Sequence, residues 1–154
     1  MSLKKIIKNS LLPGPSKWVY WLIMALVFKA VIPLLMLLHG HRSDPHLLSL
    51  GFIGDGPSYT DPIENLLSHG HYTPDLRMPG YGVIYLFFRL FLSYTPAYNC
   101  IIILQLILSS VSVYLTAVLA RMLFKSRTAF YLCFYIFLIS TYSNYYDICL
   151  MSEP

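Results

Sequence analysis

The sequence predicts an all-α integral membrane protein with three transmembrane helices and one long polar outer loop. Hydrophobic residues make up 56% of its 154 residues, charged residues make up only 12%, and the mean hydropathy is +0.60. A soluble domain carries about a quarter charged residues, so this excess of apolar surface requires lipid to cover it. The apolar residues form blocks, and one polar insert, from about His39 to Pro79, separates the first block from the rest. Composition, block length and the position of the insert together define the fold class.

The first predicted span covers residues 18–38 and follows a basic N-terminus, residues 1–17. Its length fits the roughly 20 residues that cross about 30 Å of hydrocarbon. Trp18, Tyr20 and Trp21 form an aromatic belt at its start. Lys29 interrupts the block, and we expect this isolated lysine to face protein or water, because a lone charge in lipid is costly. No small-residue cleavage site follows, so the block is predicted to be an uncleaved anchor.

Two further spans are predicted at residues 97–119 and 129–146, joined by a loop at 120–128 and followed by an outer segment, 147–154. Residues 81–94 are also apolar, but this stretch is short and carries Arg89 near its middle. Such a stretch favours a helix lying at the membrane surface over a fourth span. The outer loop therefore covers residues 39–96 and includes this interfacial helix.

Basic residues set the predicted orientation, because short loops rich in lysine and arginine stay cytoplasmic. They cluster before the first span and after the second: Lys4, Lys5, Lys8, Lys17, Arg121, Lys125 and Arg127. A multi-pass protein of the plasma or inner membrane with a cytoplasmic N-terminus results. All seven acidic residues then lie on the outer side: Asp44, Asp55, Asp61, Glu64, Asp75, Asp147 and Glu153. The net charge of +4 is scattered along membrane edges, which predicts the lipid bilayer as a partner and excludes nucleic acid.

Within the outer loop, the run Asp61-Pro62-Ile63-Glu64 has the order N-cap, N1, N2, N3. It predicts a short helix over about residues 62–69 that stops at Gly70. Asp55 lies earlier, in a Gly-Asp-Gly-Pro turn sequence. It is either an Asx-turn residue or a carboxylate placed to act as a general base or metal ligand.

Arg77 and the histidines are the other candidate binding residues of the loop. Arginine suits bidentate phosphate or carboxylate binding, although Arg77 could equally pair with a nearby aspartate or a lipid headgroup. Two His-Gly-His triplets, at residues 39–41 and 69–71, are a weak signal for zinc or copper, since no cysteine joins them. Exposed interfacial histidines are the simpler interpretation.

The order of these features resembles the N-terminal part of GT-C glycosyltransferases, the polytopic family that includes protein O-mannosyltransferases and lipid A aminoarabinose transferases. A first span is followed by an outer loop with an early aspartate, a short helix and the run Arg77-Met78-Pro79-Gly80-Tyr81. Two spans and an outer Ser152-Glu153-Pro154 come next. The residues that match are Asp55, Tyr59, Gly70, Tyr72, Arg77, Pro79, Gly80, Tyr81, Ser152, Glu153 and Pro154.

The resemblance implies transfer of a hexose, mannose-like sugar from a polyprenyl-phosphate donor to a lipid, glycan or protein acceptor at the outer membrane face. It implies that Asp55 and Glu153 are the catalytic carboxylates. Arg77, Tyr59 and Asp147 would contact substrate, with Arg77 at the donor phosphate. The divalent cation that some family members use, Mg²⁺ or Mn²⁺, would be held by Asp55 and Glu153.

Family members have many more spans, so the resemblance implies a truncated GT-C-like fold: the first portion of a longer product, expected to be inactive alone. Two other interpretations stay open. One is a small non-enzymatic polytopic membrane protein, such as an accessory or assembly subunit. The other is a metal- or solute-transport component that uses the His-Gly-His triplets.

Overall fold

A computed structural model describes residues 17–39, 56–73, 80–140, 143–144 and 147. In these residues the chain is helical and contains no strand. The helices are α1 (Trp18–His39), α2 (Gly56–His69), α3 (Gly80–Arg89), α4 (Tyr94–Phe124) and α5 (Arg127–Ile139). The predicted all-α class is confirmed for this part of the chain.

Two of these helices, α1 and α4, are long and apolar enough to cross a membrane. At 1.5 Å per residue, the 31 residues of α4 extend about 46 Å, more than the ~30 Å of a hydrocarbon layer. Only 24% of the apolar window in α1 and 33% of that in α4 are buried. Most of their apolar side chains therefore have no cover from the described chain, as helices in contact with lipid would show.

The third predicted span, 129–146, coincides with α5 only in part. The helix α5 is apolar but has 13 residues, or about 20 Å. Residues 141–142 and 145–146 lie outside the described residues. A third crossing of the membrane stays a prediction.

The connection between α4 and α5 is much shorter than the loop predicted at residues 120–128. Helix α4 continues to Phe124, and only Lys125 and Ser126 separate it from α5. Lys125 adopts the left-handed conformation (φ 48°), which ends the helix, and Ser126 is extended. The predicted loop was too long because residues 120–124 are good helix formers and continue the helix past the apolar block. The tight link folds α5 back onto α4.

Helix α2 begins at Gly56, six residues before the predicted start at Pro62. The prediction that Asp61 caps this helix is therefore wrong, because Asp61 lies inside it on the exposed side. Pro57 occupies the first turn, where a missing N–H costs nothing. Pro62 removes one internal hydrogen bond, but it is buried, as are Tyr59 and Ile63. Burial of this face overrides the local preference of Asp-Pro for a helix start.

Helix α3 also differs from the predicted interfacial helix at residues 81–94. It ends at Arg89, and Leu90 to Leu92 form a turn in which the Leu92 N–H donates to the Phe88 carbonyl at 3.0 Å. Tyr94 then starts α4. The break separates the short helix α3 from the long apolar helix α4 that follows it.

Two buried clusters hold the helices together along α4. The first joins α2 and α3 to the N-terminal half of α4 and comprises Tyr59, Ile63, Tyr85, Ala97, Tyr98, Ile101, Ile102 and Leu106. The second joins α1 and α5 to the C-terminal half of α4 and comprises Trp21, Ala25, Val113, Ala117, Phe130, Phe134 and Leu138. Helix α4 is thus the common support for two groups of helices: α2 with α3, called the α2–α3 unit, and α1 with α5.

Candidate functional site

The structure describes two of the five predicted site residues. Asp55, Arg77 and Glu153 lie outside the described residues, so their predicted roles stay predictions. Tyr59 and Asp147 are described, and they lie in different parts of the fold.

Tyr59 belongs to the first buried cluster, on the side of α2 that faces α3. Its side chain is only 3% exposed, and its ring lies 5.4 Å, centroid to centroid, from the ring of Tyr81 at the start of α3. The Tyr81 hydroxyl in turn accepts a hydrogen bond from the Gln105 amide of α4 at 3.2 Å. Two tyrosines matched to the family pattern therefore join α2, α3 and α4.

A close approach between α2 and α3 is permitted by Gly82. A Cβ added there would lie 3.4 Å from the Tyr59 carbonyl oxygen and 3.5 Å from an Ile63 side-chain carbon. At Gly80, two residues earlier, no atom of the described residues lies within 4 Å of the corresponding position. The glycine at residue 82 is thus a contact point between the helices, whereas the one at residue 80 is open.

The polar centre of the α2–α3 unit is a cluster of three residues, Glu64, Tyr85 and Arg89, which we call the Glu64 cluster. The Tyr85 hydroxyl donates to Glu64 Oε1 at 2.5 Å. Arg89 donates from Nε to Oε1 at 2.7 Å and from Nη2 to Oε2 at 3.2 Å, and its Nη1 donates to the Leu92 carbonyl at 3.0 Å. This bidentate arrangement is the strongest geometry an arginine and a carboxylate can form.

Ionisation in the Glu64 cluster follows from these contacts. Burial raises the pKa of the Glu64 carboxyl, but the hydrogen bonds from Arg89 and Tyr85 and the charge of Arg89 outweigh it, so this pKa lies below its ordinary value. Burial and the neighbouring carboxylate raise the pKa of the Tyr85 hydroxyl well above its ordinary value. The cluster is therefore a carboxylate, a neutral phenol and a guanidinium at neutral pH, which suits a structural clamp better than acid–base chemistry.

The sequence did not identify the Glu64 cluster, because it assigned Glu64 to a helix cap and Arg89 to the membrane surface. The sequence of α3 nevertheless contains a signal for this cluster. Arg89 is the only charged residue in an apolar helix, and Tyr85 precedes it by four residues, which places both on one helix face. An arginine in such a position needs an anionic partner, and Glu64 is the nearest acid in the sequence that belongs to a described helix.

Asp147 lies at the other end of the described chain and pairs with Lys29 of α1. The Lys29 Nζ lies 2.5 Å from Asp147 Oδ2, and the Lys29 and Asp147 side chains are 0% and 12% exposed. The expectation that Lys29 avoids lipid is confirmed, since the residue is 1% exposed. Its partner could not be found from sequence, because 118 residues separate the two.

The His-Gly-His triplets gain no metal-site geometry from the described residues. The rings of His69 and His71 lie 5.9 Å apart, and His69 Nδ1 is 2.8 Å from the Ser68 hydroxyl. Among the described residues, no group of three or more histidines, cysteines or carboxylates is placed to hold a metal ion. The first triplet lies mostly outside them.

Comparisons with protein-family models, with curated proteins and with solved structures each returned no match to this chain. Inference about function therefore depends on the residues and their geometry.

Proposed function

We propose that this chain forms the N-terminal membrane portion of a GT-C type glycosyltransferase. It would transfer a hexose from a polyprenyl-phosphate donor to a lipid, glycan or protein acceptor at the outer face of the membrane. The observation that supports this proposal best is the ordered helical unit α2–α3, which follows directly on Asp55 in the sequence and is packed on the start of α4.

The packing of α2 would suit a catalytic carboxylate at Asp55. This residue is covalently joined to Gly56, the buried first residue of α2. Helix α2 is fixed to α3 and α4 by the first buried cluster and by the Glu64 cluster. A catalytic group needs a rigid support, because a displacement of 1 Å can cost a large factor in rate.

The α2–α3 unit also offers a surface suited to a lipid-linked donor. Apolar side chains of α3 and of the turn after it are exposed: Val83 at 63%, Phe87 at 61%, Leu90 at 64% and Phe91 at 75%. These residues would insert among lipid tails, at the depth where a polyprenyl chain meets its phosphate. Arg77, three residues before α3, would then contact that phosphate.

The proposed reaction uses Asp55 as general base. Asp55 would accept the proton of the acceptor hydroxyl as that oxygen forms a bond to the sugar C1. The bond between C1 and the donor phosphate oxygen breaks, and polyprenyl phosphate leaves. A Mg²⁺ or Mn²⁺ ion would stabilise the negative charge of the phosphate when bound by the carboxylates of Asp55 and Glu153, which are ligands such ions prefer.

The orientation is part of the proposal: the N-terminus and the α4–α5 link are cytoplasmic, and the α2–α3 unit is on the outer face. Lysines before α1, and Arg121, Lys125 and Arg127 at the α4–α5 link, support it through the tendency of basic residues to stay inside.

The test compares Asp55→Asn with Asp61→Asn in the longest product that the gene encodes. Both variants replace an aspartate by its neutral amide near α2, and Asp61 is exposed. With a synthetic polyprenyl-phosphate mannose as donor, Asp55→Asn should lower kcat by roughly 10²- to 10⁴-fold, the usual contribution of a general base. Asp61→Asn should stay within about twofold of wild type. Unchanged turnover in Asp55→Asn would remove that residue from the mechanism.

A further inference from the structure

Lys29 is a buried cation in the middle of a helix that can cross the membrane. It lies eleven residues after Trp18, or about 16 Å along α1, close to the midpoint of a 30 Å apolar layer. A lone ammonium group at that depth is costly, and such residues pair with another group or face a polar interior. The contacts of Lys29 therefore indicate what the residue does.

Three oxygen atoms from the chain after α5 surround the Lys29 ammonium. Nζ lies 2.5 Å from Asp147 Oδ2, and it donates to Asn144 Oδ1 at 3.0 Å and to Ser143 Oγ at 3.3 Å. An ammonium has three N–H donors and no acceptor. All three are used, so the group has no donor left for a substrate or an anion.

The same three residues are tied to the end of α5. The Asn144 side-chain amide donates to the Leu138 carbonyl at 3.0 Å, and the Asn144 and Asp147 backbone N–H groups donate one turn back, to Ser140 and Ser143. Asn144 is itself only 5% exposed. The polar groups thus form one closed network that connects α1 to the residues that follow α5.

We propose that Lys29, Ser143, Asn144 and Asp147 form an intramembrane latch that fastens the chain after α5 to α1, and that Lys29 and Asp147 are positioning residues. Asp147 is then not a contact to substrate, since its carboxylate is committed to Lys29. The latch sets where the segment that carries Glu153 begins. This last step rests on the proposed function, whereas the latch itself does not.

The pairing is tested by a cycle of variants in the full chain, purified in detergent. Lys29→Met and Asp147→Leu each leave one buried charge unpaired and should each lower the unfolding midpoint by on the order of 10 °C. The double variant replaces the pair by apolar side chains of similar size and should recover most of that loss. Lys125→Met and Asp61→Leu make the same replacements at exposed positions and should change the midpoint by no more than about 2 °C.

Single variants as stable as these exposed controls, or losses that simply add in the double variant, would overturn the latch. If a single variant fails to accumulate, the exchanged pair Lys29→Asp with Asp147→Lys decides. Recovery of folded protein in the exchanged pair supports the latch. If neither the exchanged pair nor the apolar double variant yields folded protein, the latch is contradicted.

The positioning role has a separate readout in the double variant. With the double variant made in the longest product that the gene encodes, and with synthetic polyprenyl-phosphate mannose as the probe, a KM within about twofold of wild type supports positioning. A KM raised tenfold or more means that Asp147 contacts the donor, and overturns it. If wild type transfers no sugar, the proposed function fails, while the unfolding midpoints still decide whether the latch exists.

Discussion

Removing the Glu64 carboxylate should destabilise the α2–α3 unit more than removing any exposed acid on the same helix. The Tyr85 side chain is fully buried, and Glu64 accepts its hydroxyl at 2.5 Å. Glu64→Ala leaves that hydroxyl without its acceptor, at a cost of about 1–3 kcal/mol. The ion pair with Arg89 adds only about 0.2–1 kcal/mol, because the Glu64 and Arg89 side chains are 29% and 26% exposed. The two contributions together predict a loss of about 1–4 kcal/mol.

Two further variants separate the contribution of the hydrogen bond to stability from that of the ion pair. Glu64→Gln keeps an acceptor for Tyr85 and should cost only about 1 kcal/mol. Tyr85→Phe removes the hydroxyl together with its need for a partner, so combining it with Glu64→Ala should cost about 1–2 kcal/mol less than the sum of the single variants.

The assay is the thermal unfolding of the full chain in detergent, followed by loss of helical circular dichroism. For a chain of this size, 1 kcal/mol corresponds to roughly 2–4 °C, so Glu64→Ala should lower the midpoint by roughly 2–16 °C. Asp61→Ala removes an exposed carboxylate one turn earlier and serves as the control. A midpoint for Glu64→Ala within about 1 °C of the control, or strict additivity with Tyr85→Phe, would refute the reasoning.

Two further predictions concern the same unit. Folding lowers the pKa of Glu64, so the ionised carboxylate contributes its full stabilisation above the ordinary pKa of 4.5 and loses it as the pH falls through the folded-state pKa. The thermal midpoint of wild type should therefore fall in that acidic range, and the midpoint of Glu64→Gln should change less with pH. Gly82→Leu should displace α2 from α3 and cost about 1–3 kcal/mol, as overpacking does. Gly80→Leu meets no atom of the described residues within 4 Å of its Cβ position and should cost at most about 1 kcal/mol. Equal midpoints for the two glycine variants would contradict the contact assigned to Gly82.

The positions of the apolar helices could be predicted from the sequence because lipid and burial act on long, uniform stretches. The start of α1 at Trp18 was placed to the residue, and the second predicted span, 97–119, lies wholly inside α4. Helix ends were less predictable. The end of α4 depends on the left-handed conformation of Lys125, which no residue preference indicates, since glycine is the usual residue there.

The polar contacts were harder to predict than the helices. Asp61-Pro62 resembles a helix start, yet packing of Tyr59 and Ile63 against α3 and α4 extends the helix back to Gly56. Local preference could not show this, because the contacting residues in α3 and α4 lie about twenty or more positions further along the chain. The ion pairs Glu64–Arg89 and Lys29–Asp147 likewise join residues 25 and 118 positions apart. The sequence predicted that Lys29 faces protein or water, but only the fold identifies the partners of Lys29 and Arg89.

The most direct test of the account is whether the α2–α3 unit and the α4–α5 link lie on opposite sides of the membrane. His71, after α2, and Thr128, at the start of α5, are both exposed. Each would be replaced by cysteine in a background without the three native cysteines, and labelled in intact cells with a maleimide that does not cross membranes. The account predicts rapid labelling at residue 71 and labelling at residue 128 only after the membrane is opened. Labelling of both positions in intact cells, or of residue 128 alone, would contradict it.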